Sequence, residues 1–215
     1  MKKFLLALAV MIMSTASCAA QGDMTLPPPN TSDKLSVMDA LNQRHSSRNF
    51  VDKELSPAQL SKILWAANGT NRPDGKRTVP VALGIYSVEV YAVTKEGIYL
   101  YDVDNHKLKL IAEGDFRATT TTGQSFVSKA ALNLVYVETP AAWQNSKHRT
   151  PSREAQISFA NITVGAMIQS VALAAETERL GNCVRGSINR DEFKKVAKLA
   201  DDKNILLAQT VGYIK

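Results

Sequence analysis

Cysteine is scarce in this chain. Cys18 and Cys183 are the two in 215 residues, and Cys18 falls in a leader segment. One remaining thiol can form neither an intramolecular disulfide nor a cysteine-built zinc site. Beside a strand, Cys183 reads as a packed small hydrophobe. The histidines His45, His106 and His148 have no metal-ligand spacing, so no metal is expected. No Gly-x-Gly-x-x-Gly follows a first strand, no Walker loop is present, and Gly84-Ile85-Tyr86 is no nucleophile elbow. These absences count against a Rossmann dinucleotide site, a P-loop nucleotidase and a serine hydrolase. Asp102 and Asp104 alternate at a strand end and read as a solvated turn, not a catalytic carboxylate pair. The formal charge is +6, with Lys2 and Lys3 in the leader and the rest dispersed, as at Lys194, Lys195 and Lys198. Without a basic tail or a basic-aromatic motif, nucleic-acid binding is not expected. No catalytic acid, base or nucleophile stands out, so an enzyme built on this chain needs a cofactor for the hard chemistry.

What is present begins with a leader. Met1-Lys2-Lys3 and the apolar run Phe4 to Met13 have the pattern of a bacterial export signal, too short for a stable membrane span. Two processing routes stay open after it. Cys18, preceded by small residues, suits the lipid-modified cysteine of a lipoprotein, although Thr15 stands where leucine is usual. Cleavage after Ala19 or Ala20 is the other route. Residues 1–20 are read as the export signal, and 21–33, with Pro27-Pro28-Pro29, as a Pro-rich tether outside the core. Residues 34–215 are read as one domain. Both routes place it outside the cytoplasm, in the periplasm, and the first tethers it to a membrane through Cys18.

Hydrophobic residues make up 45% of the chain and charged residues 21%, which supports a packed core. Apolar spacing predicts a helix over Leu35–Arg44 and another after Ser56-Pro57-Ala58-Gln59, a capping-box start, ending at Gly69 as a C′ residue. Trp65 is assigned to the core. Val88–Val93, Ile98–Val103 and Lys107–Ile111 read as a meander, with a hairpin turn at Lys95-Glu96-Gly97. Phe116–Lys129 is helical in part, Ala131–Val137 a buried strand, and Thr139–Thr150 a loop. Ser152–Arg179 is a long helix, apolar nearly all round and so expected to be buried. Its small residues Ala160, Gly165, Ala166 and Ser170 suit either close helix packing or a flat ligand. A strand from Gly181, a helix over Asp191–Ala200 and a strand over Ile205–Ile214 follow. The class is α+β, a mostly antiparallel central sheet packed by helices with a long central helix.

Between the first two helices lies Arg44-His45-Ser46-Ser47-Arg48-Asn49-Phe50. If extended, it points Arg44, Ser46 and Arg48 to one side as a phosphate grip. If helical, it joins Arg44 and Arg48 and turns Ser46 away. Taken alone it also fits a solvated basic turn.

Together these segments resemble the nitroreductase-like FMN flavoproteins, nearest the SagB-like dehydrogenases that oxidise azolines in peptides. Arg44 to Phe50 matches that family's Arg-(Arg/His)-Ser-x-(Arg/Lys)-x-Phe motif. Leu64-Trp65-Ala66-Ala67-Asn68-Gly69, then Arg72-Pro73-Asp74-Gly75-Lys76-Arg77-Thr78, is similar to the branch's LLWAAxGxxRxDGxRT. Pro80 to Glu89 lies over PSAGALYPLE, and Ala172 to Gly181 over LxAxxLGLG. The resemblance implies a homodimer with FMN at the subunit interface and an FMN-dependent oxidoreductase acting through flavin N5 on a small-molecule substrate. It implies that Arg44, Ser46 and Arg48 hold the FMN phosphate and ribityl chain, with His45 contributing through its backbone. Arg77 and the loop Pro80, Val81, Ala82 and Leu83 are implied to lie along the flavin, Gly181 and Asn182 to approach it, and Lys215 to contact phosphate. Three positions depart from the pattern: Val81 replaces serine, Leu83 replaces glycine and Ser87 replaces proline. The first two motivate an alternative, a tethered non-catalytic protein that keeps the fold and has lost FMN. An exported enzyme has little access to NAD(P)H, so the expected reductant is the organic substrate itself or a membrane donor.

Overall fold

The computed structural model describes residues 22–32, 34–144 and 150–215. The export signal with Cys18, and His148, lie outside the described residues. Strand β5 (Leu132–Glu138) is buried at every position and serves as the ruler of the fold. On one side it pairs with β2 (Val88–Val93), followed by β3 (Gly97–Asp102), β4 (Lys107–Glu113) and the two-residue β1 (Met24–Thr25). On the other side it pairs with β7 (Asn204–Gly212), followed by β6 (Gly181–Arg185). All these pairings are antiparallel, so the α+β sheet expected from the alternating strands is the one formed.

Period-2 alternation gives the sheet two apolar faces. One face packs Leu134, Tyr136 and Val90 under helices α2 (Pro57–Asn68) and α3 (Arg153–Thr177). The other packs Tyr91, Val135 and Val137 against Phe193 of the short helix α4 (Arg190–Val196). Helix α2 begins as its sequence predicts: the Ser56 side chain accepts from the Gln59 backbone N–H, and the Gln59 side chain accepts from that of Ser56. Its C-terminal glycine has a different reason from the one expected. Gly69 is extended, not left-handed (φ −73°), and an added Cβ would come 2.3 Å from the Trp65 ring. Close approach, not φ, demands glycine there. Lys62 of α2 reaches Glu178 just beyond α3 at 2.6 Å, tying the two helices together.

The expected tether is in part a strap. Met24 and Thr25 pair with Leu108 and Lys107, and Leu26 is buried in the core. The Pro27 carbonyl accepts from the Ser61 hydroxyl at 2.6 Å and lies 3.1 Å from His106 Nε2. Tyr101 Oη lies 2.8 Å from His106 Nδ1, and burial lowers the imidazole pKa. A neutral ring with Nε2–H donating and Nδ1 accepting satisfies this network. Proline suits such an edge segment because it needs no ladder N–H of its own.

Helix α3 also departs from expectation. Ala160, Val164, Met167 and Val171 face the core. Glu154, Ser158, Asn161, Ile162, Gly165 and Gln169 form an exposed stripe, and Ile162 is 68% exposed. An added Cβ on Gly165 would meet nothing within 4 Å. Helix α1 (Val37–Gln43) packs on α3 and exposes Val37 and Met38 in turn. The helix is therefore not apolar all round: its exposed stripe is mostly polar, with Ile162 as its one large apolar side chain.

Candidate functional site

The stretch after α1 is extended. Ser46 bridges Asn182, and the Ser47 N–H donates to the Asn182 carbonyl at 2.8 Å. Phe50 bridges Ile214, and the Lys215 N–H donates to the Asn49 carbonyl at 3.1 Å. The chain is thus threaded between the start of β6 and the C-terminal residues. Strand alternation sets Ser47 inward and leaves Arg44, Ser46 and Arg48 exposed, while Phe50, out of that alternation, is buried where it bridges Ile214. Gly181 permits this crossing: an added Cβ would come 2.2 Å from the Ile214 side chain and 2.8 Å from Ser47 Cβ.

Two adjoining hollows result. One, of about 260 Å³, runs along His45 to Asn49, Ile214 and Lys215. The other, of about 330 Å³, is lined by Gln43, His45, Glu176, Arg179, Gly181 and Ile214. Of the expected residues, His45, Ser46, Arg48 and Lys215 meet in the first hollow. Gly181 lines the second, Asn182 is bridged to Ser46, and Arg44 precedes the cluster at the end of α1. His45 Nδ1 lies 2.9 Å from the Gln43 carbonyl, which it reaches as a donor. The guanidinium groups of Arg44 and Arg48 and the ammonium of Lys215 make no ion pair among the described residues. Such unpaired cations beside a hydroxyl suit a phosphate group.

Two buried atoms at this crossing lack partners. Ser47 Oγ and Asn182 Nδ2 make no hydrogen bond among the described residues. Asn182 Oδ1 accepts from Gln209 Nε2 at 3.3 Å, and Gln209 Oε1 accepts from the Tyr136 hydroxyl at 2.7 Å. A chain of buried hydrogen bonds therefore ends in an open donor at Asn182. Sequence reasoning missed Ser47, Arg179 and Ile214. Ser47 was signalled by the alternation itself. Arg179, left-handed at φ 56° beyond α3, carries no local mark.

Five expected residues, Arg77 and Pro80 to Leu83, lie elsewhere in the chain. Gly181 pairs with Gly212, at the Leu132 end of β5. Val88 pairs with Glu138, at the other end. The loop Pro80, Val81, Ala82 and Leu83 immediately precedes β2 and packs on α3, so it sits at the Glu138 end. The length of β5 separates it from the Arg48 cluster by roughly 20 Å. Arg77 is not in the cluster either. Its guanidinium stacks 3.9 Å over the Tyr86 ring, where burial lowers its pKa.

Comparison with known proteins agrees with this architecture. The Nitroreductase family profile matches residues 41–213. A curated protein of Methanocaldococcus jannaschii, assigned to the nitroreductases, is 26% identical over 188 residues, covering 81% of this chain and 90% of that one. The crystal structure of a protein from Ralstonia eutropha JMP134, assigned likewise, is 33% identical with a TM-score of 0.83, covering 100% of this chain and 96% of that one. The NADPH:FMN oxidoreductase of Vibrio harveyi, solved with NAD+, shares the fold at 18% identity and a TM-score of 0.61, over 83% of this chain and 69% of that one. The profile spans Arg44 to Phe50, strands β2 to β7 and helices α2 and α3, and the chain belongs to the nitroreductase family.

Proposed function

We propose that this chain is an FMN-dependent oxidoreductase of the SagB-like type, acting on a small organic substrate. The observation that carries the reading is the unpaired cluster of Ser46, Arg48 and Lys215, with Arg44 just before it at the end of α1, beside two orphaned buried atoms, Ser47 Oγ and Asn182 Nδ2. These residues fit FMN: the cations and the Ser46 hydroxyl take its phosphate, and the orphaned atoms meet polar atoms further along it. Bound FMN supplies hydride transfer at N5, and no side chain is assigned as acid or base.

The other half of the site comes from a second copy. One chain holds the phosphate grip and the Pro80–Leu83 loop at opposite ends of α3. Two α3 helices packed antiparallel across a two-fold axis bring the loop of one chain to the grip of its partner. Exposed Ile162 beside Gly165 on α3, with exposed Val37 and Met38 on α1, supplies the apolar contact. Leu83 keeps a left-handed backbone (φ 55°) although it is not glycine. The loop shape is thus retained at a strain of about 1–2 kcal/mol, which favours a working flavin site over the flavin-free alternative.

The leader makes this an exported enzyme in our reading, away from NAD(P)H, with the organic substrate as reductant. The purified protein is expected to show a flavin absorption spectrum that persists when NADH or NADPH is added without oxygen. Rapid bleaching by either nucleotide would overturn the assignment of the donor. A colourless protein that takes up no added FMN would overturn the enzyme.

A further inference from the structure

The sheet is split at one place. β2 pairs with β5 along its whole length, as far as Val88↔Glu138. β3 pairs with β4 as far as Asp102↔Lys107. Between β2 and β3 the ladder stops at Tyr91↔Leu100. The segments Val88–Val90 and Tyr101–Val103 then line a cleft of about 220 Å³, closed by Asn68, Arg77 and Tyr86.

Two polar groups in this cleft are unanswered. Asn68 is 2% exposed. Its Nδ2 donates to the Val88 carbonyl at 3.4 Å, which fixes the amide orientation, and its Oδ1 has no partner among the described residues. Arg77 is stacked on Tyr86, and its guanidinium makes no hydrogen bond or ion pair among the described residues. Stacking fixes the plane of the guanidinium and leaves its N–H edge available. The carboxylates nearby are otherwise engaged. Glu89 is held by Lys203 and the Tyr91 hydroxyl, and Asp102 by Lys109 and Asn105. Asp104, exposed on the rim, attracts Arg77 from a distance but is not within ion-pair reach of it. What remains is one desolvated cation with a forked donor edge and one buried acceptor.

We propose that this cleft binds a small carboxylate with an adjacent N–H or O–H donor, an α-amino or α-hydroxy acid. The carboxylate pairs with Arg77, and the neighbouring donor reaches Asn68 Oδ1. A simple carboxylate leaves Asn68 unanswered, and a simple amine leaves Arg77 unanswered. Both are weak ligands because an unmet buried polar group penalises the complex. The site does not depend on flavin, so it stands or falls separately from the cofactor reading.

The test is a nuclear magnetic resonance titration of the ¹⁵N-labelled full-length protein with glycolate and glycine, with acetate and methylammonium as controls. Glycolate and glycine are expected to shift the amides of Val88, Val90, Tyr101 and Val103 and to saturate below about 10 mM. Acetate is expected to bind about tenfold more weakly, and methylammonium not at all. Arg77→Met abolishes the shifts, and Asn68→Ala makes glycolate and acetate equivalent. If either variant fails to fold, the wild-type ratio of glycolate to acetate still decides the matter. Equal binding of glycolate and acetate to the wild type overturns the proposal. So does the absence of shifts in the cleft, or shifts confined to residues around Arg48 and Lys215.

Discussion

An Ile162→Glu variant is expected to run as a monomer and to lose its flavin together with its dimer contact. Ile162 is 68% exposed on a single chain, and Val37 and Met38 of α1, which packs on α3, are 68% and 72% exposed. Three large apolar side chains on two packed helices are more than a scattered surface residue or two, and such a patch marks an interaction site. Across a two-fold axis each substitution appears twice, so one change buries two unpaired carboxylates. An unpaired charge in an apolar contact costs several kcal/mol, and about 4 kcal/mol already weakens dimerisation a thousandfold. The fold of each chain should survive, because Ile162 contributes little to its own core. Light scattering after gel filtration reads the mass, visible absorbance reads the flavin, and far-ultraviolet circular dichroism checks the fold. A flavin-loaded dimer in the variant would remove α3 from the interface.

Arg153→Ala is expected to cost more stability than Glu138→Gln, although both break the same contact. Arg153 grips Glu138 with two parallel bonds of 2.5 and 2.6 Å. The Glu138 side chain is 0% exposed and that of Arg153 is 38% exposed. Removing the arginine strands a buried carboxylate with, among the described residues, only the Asn204 side-chain amide, 2.9 Å away, at a cost of about 3–5 kcal/mol. Removing the charge on Glu138 leaves an arginine that can turn to solvent. For a chain of this length the arginine variant should melt about 6–20 °C lower. Thermal melts of both variants check the order. Equal losses would mean that the pair is hydrated in solution. The contact anchors the start of α3 to the end of β5, so it also sets where that helix presents Ile162.

Much of this was readable in the sequence where a local rule was enough. Ser56 to Gln59 starts a helix by its own side chains. Residues 44–48 alternate as a strand does, with Ser47 inward and the cations outward. What escaped depends on distant partners. Met24 to Pro27 has no periodicity, and its place is decided by Leu108, Ser61 and His106. The apolar residues of α3 signal burial, but not that Ile162 stays exposed on the single chain. Gly69 reads as a left-handed stop, whereas it answers to the Trp65 ring. Arg77 follows a motif that the resemblance sets beside the flavin, and its cleft exists only because β2 and β3 part company above Tyr91, which no residue type announces.

The central claim, that Arg44, Ser46, Arg48 and Lys215 grip the phosphate of FMN, is tested most directly by titrating flavin-stripped protein with FMN and with riboflavin. The two ligands differ only in the phosphate. Each charged contact to it is worth about 1.5–3 kcal/mol, so two or more give FMN an advantage of at least about a hundredfold. One FMN should bind per chain, and Arg48→Ala should remove about tenfold or more of the preference while leaving riboflavin affinity unchanged. Riboflavin binding as tightly as FMN, or an Arg48→Ala protein that still discriminates fully, would contradict the account.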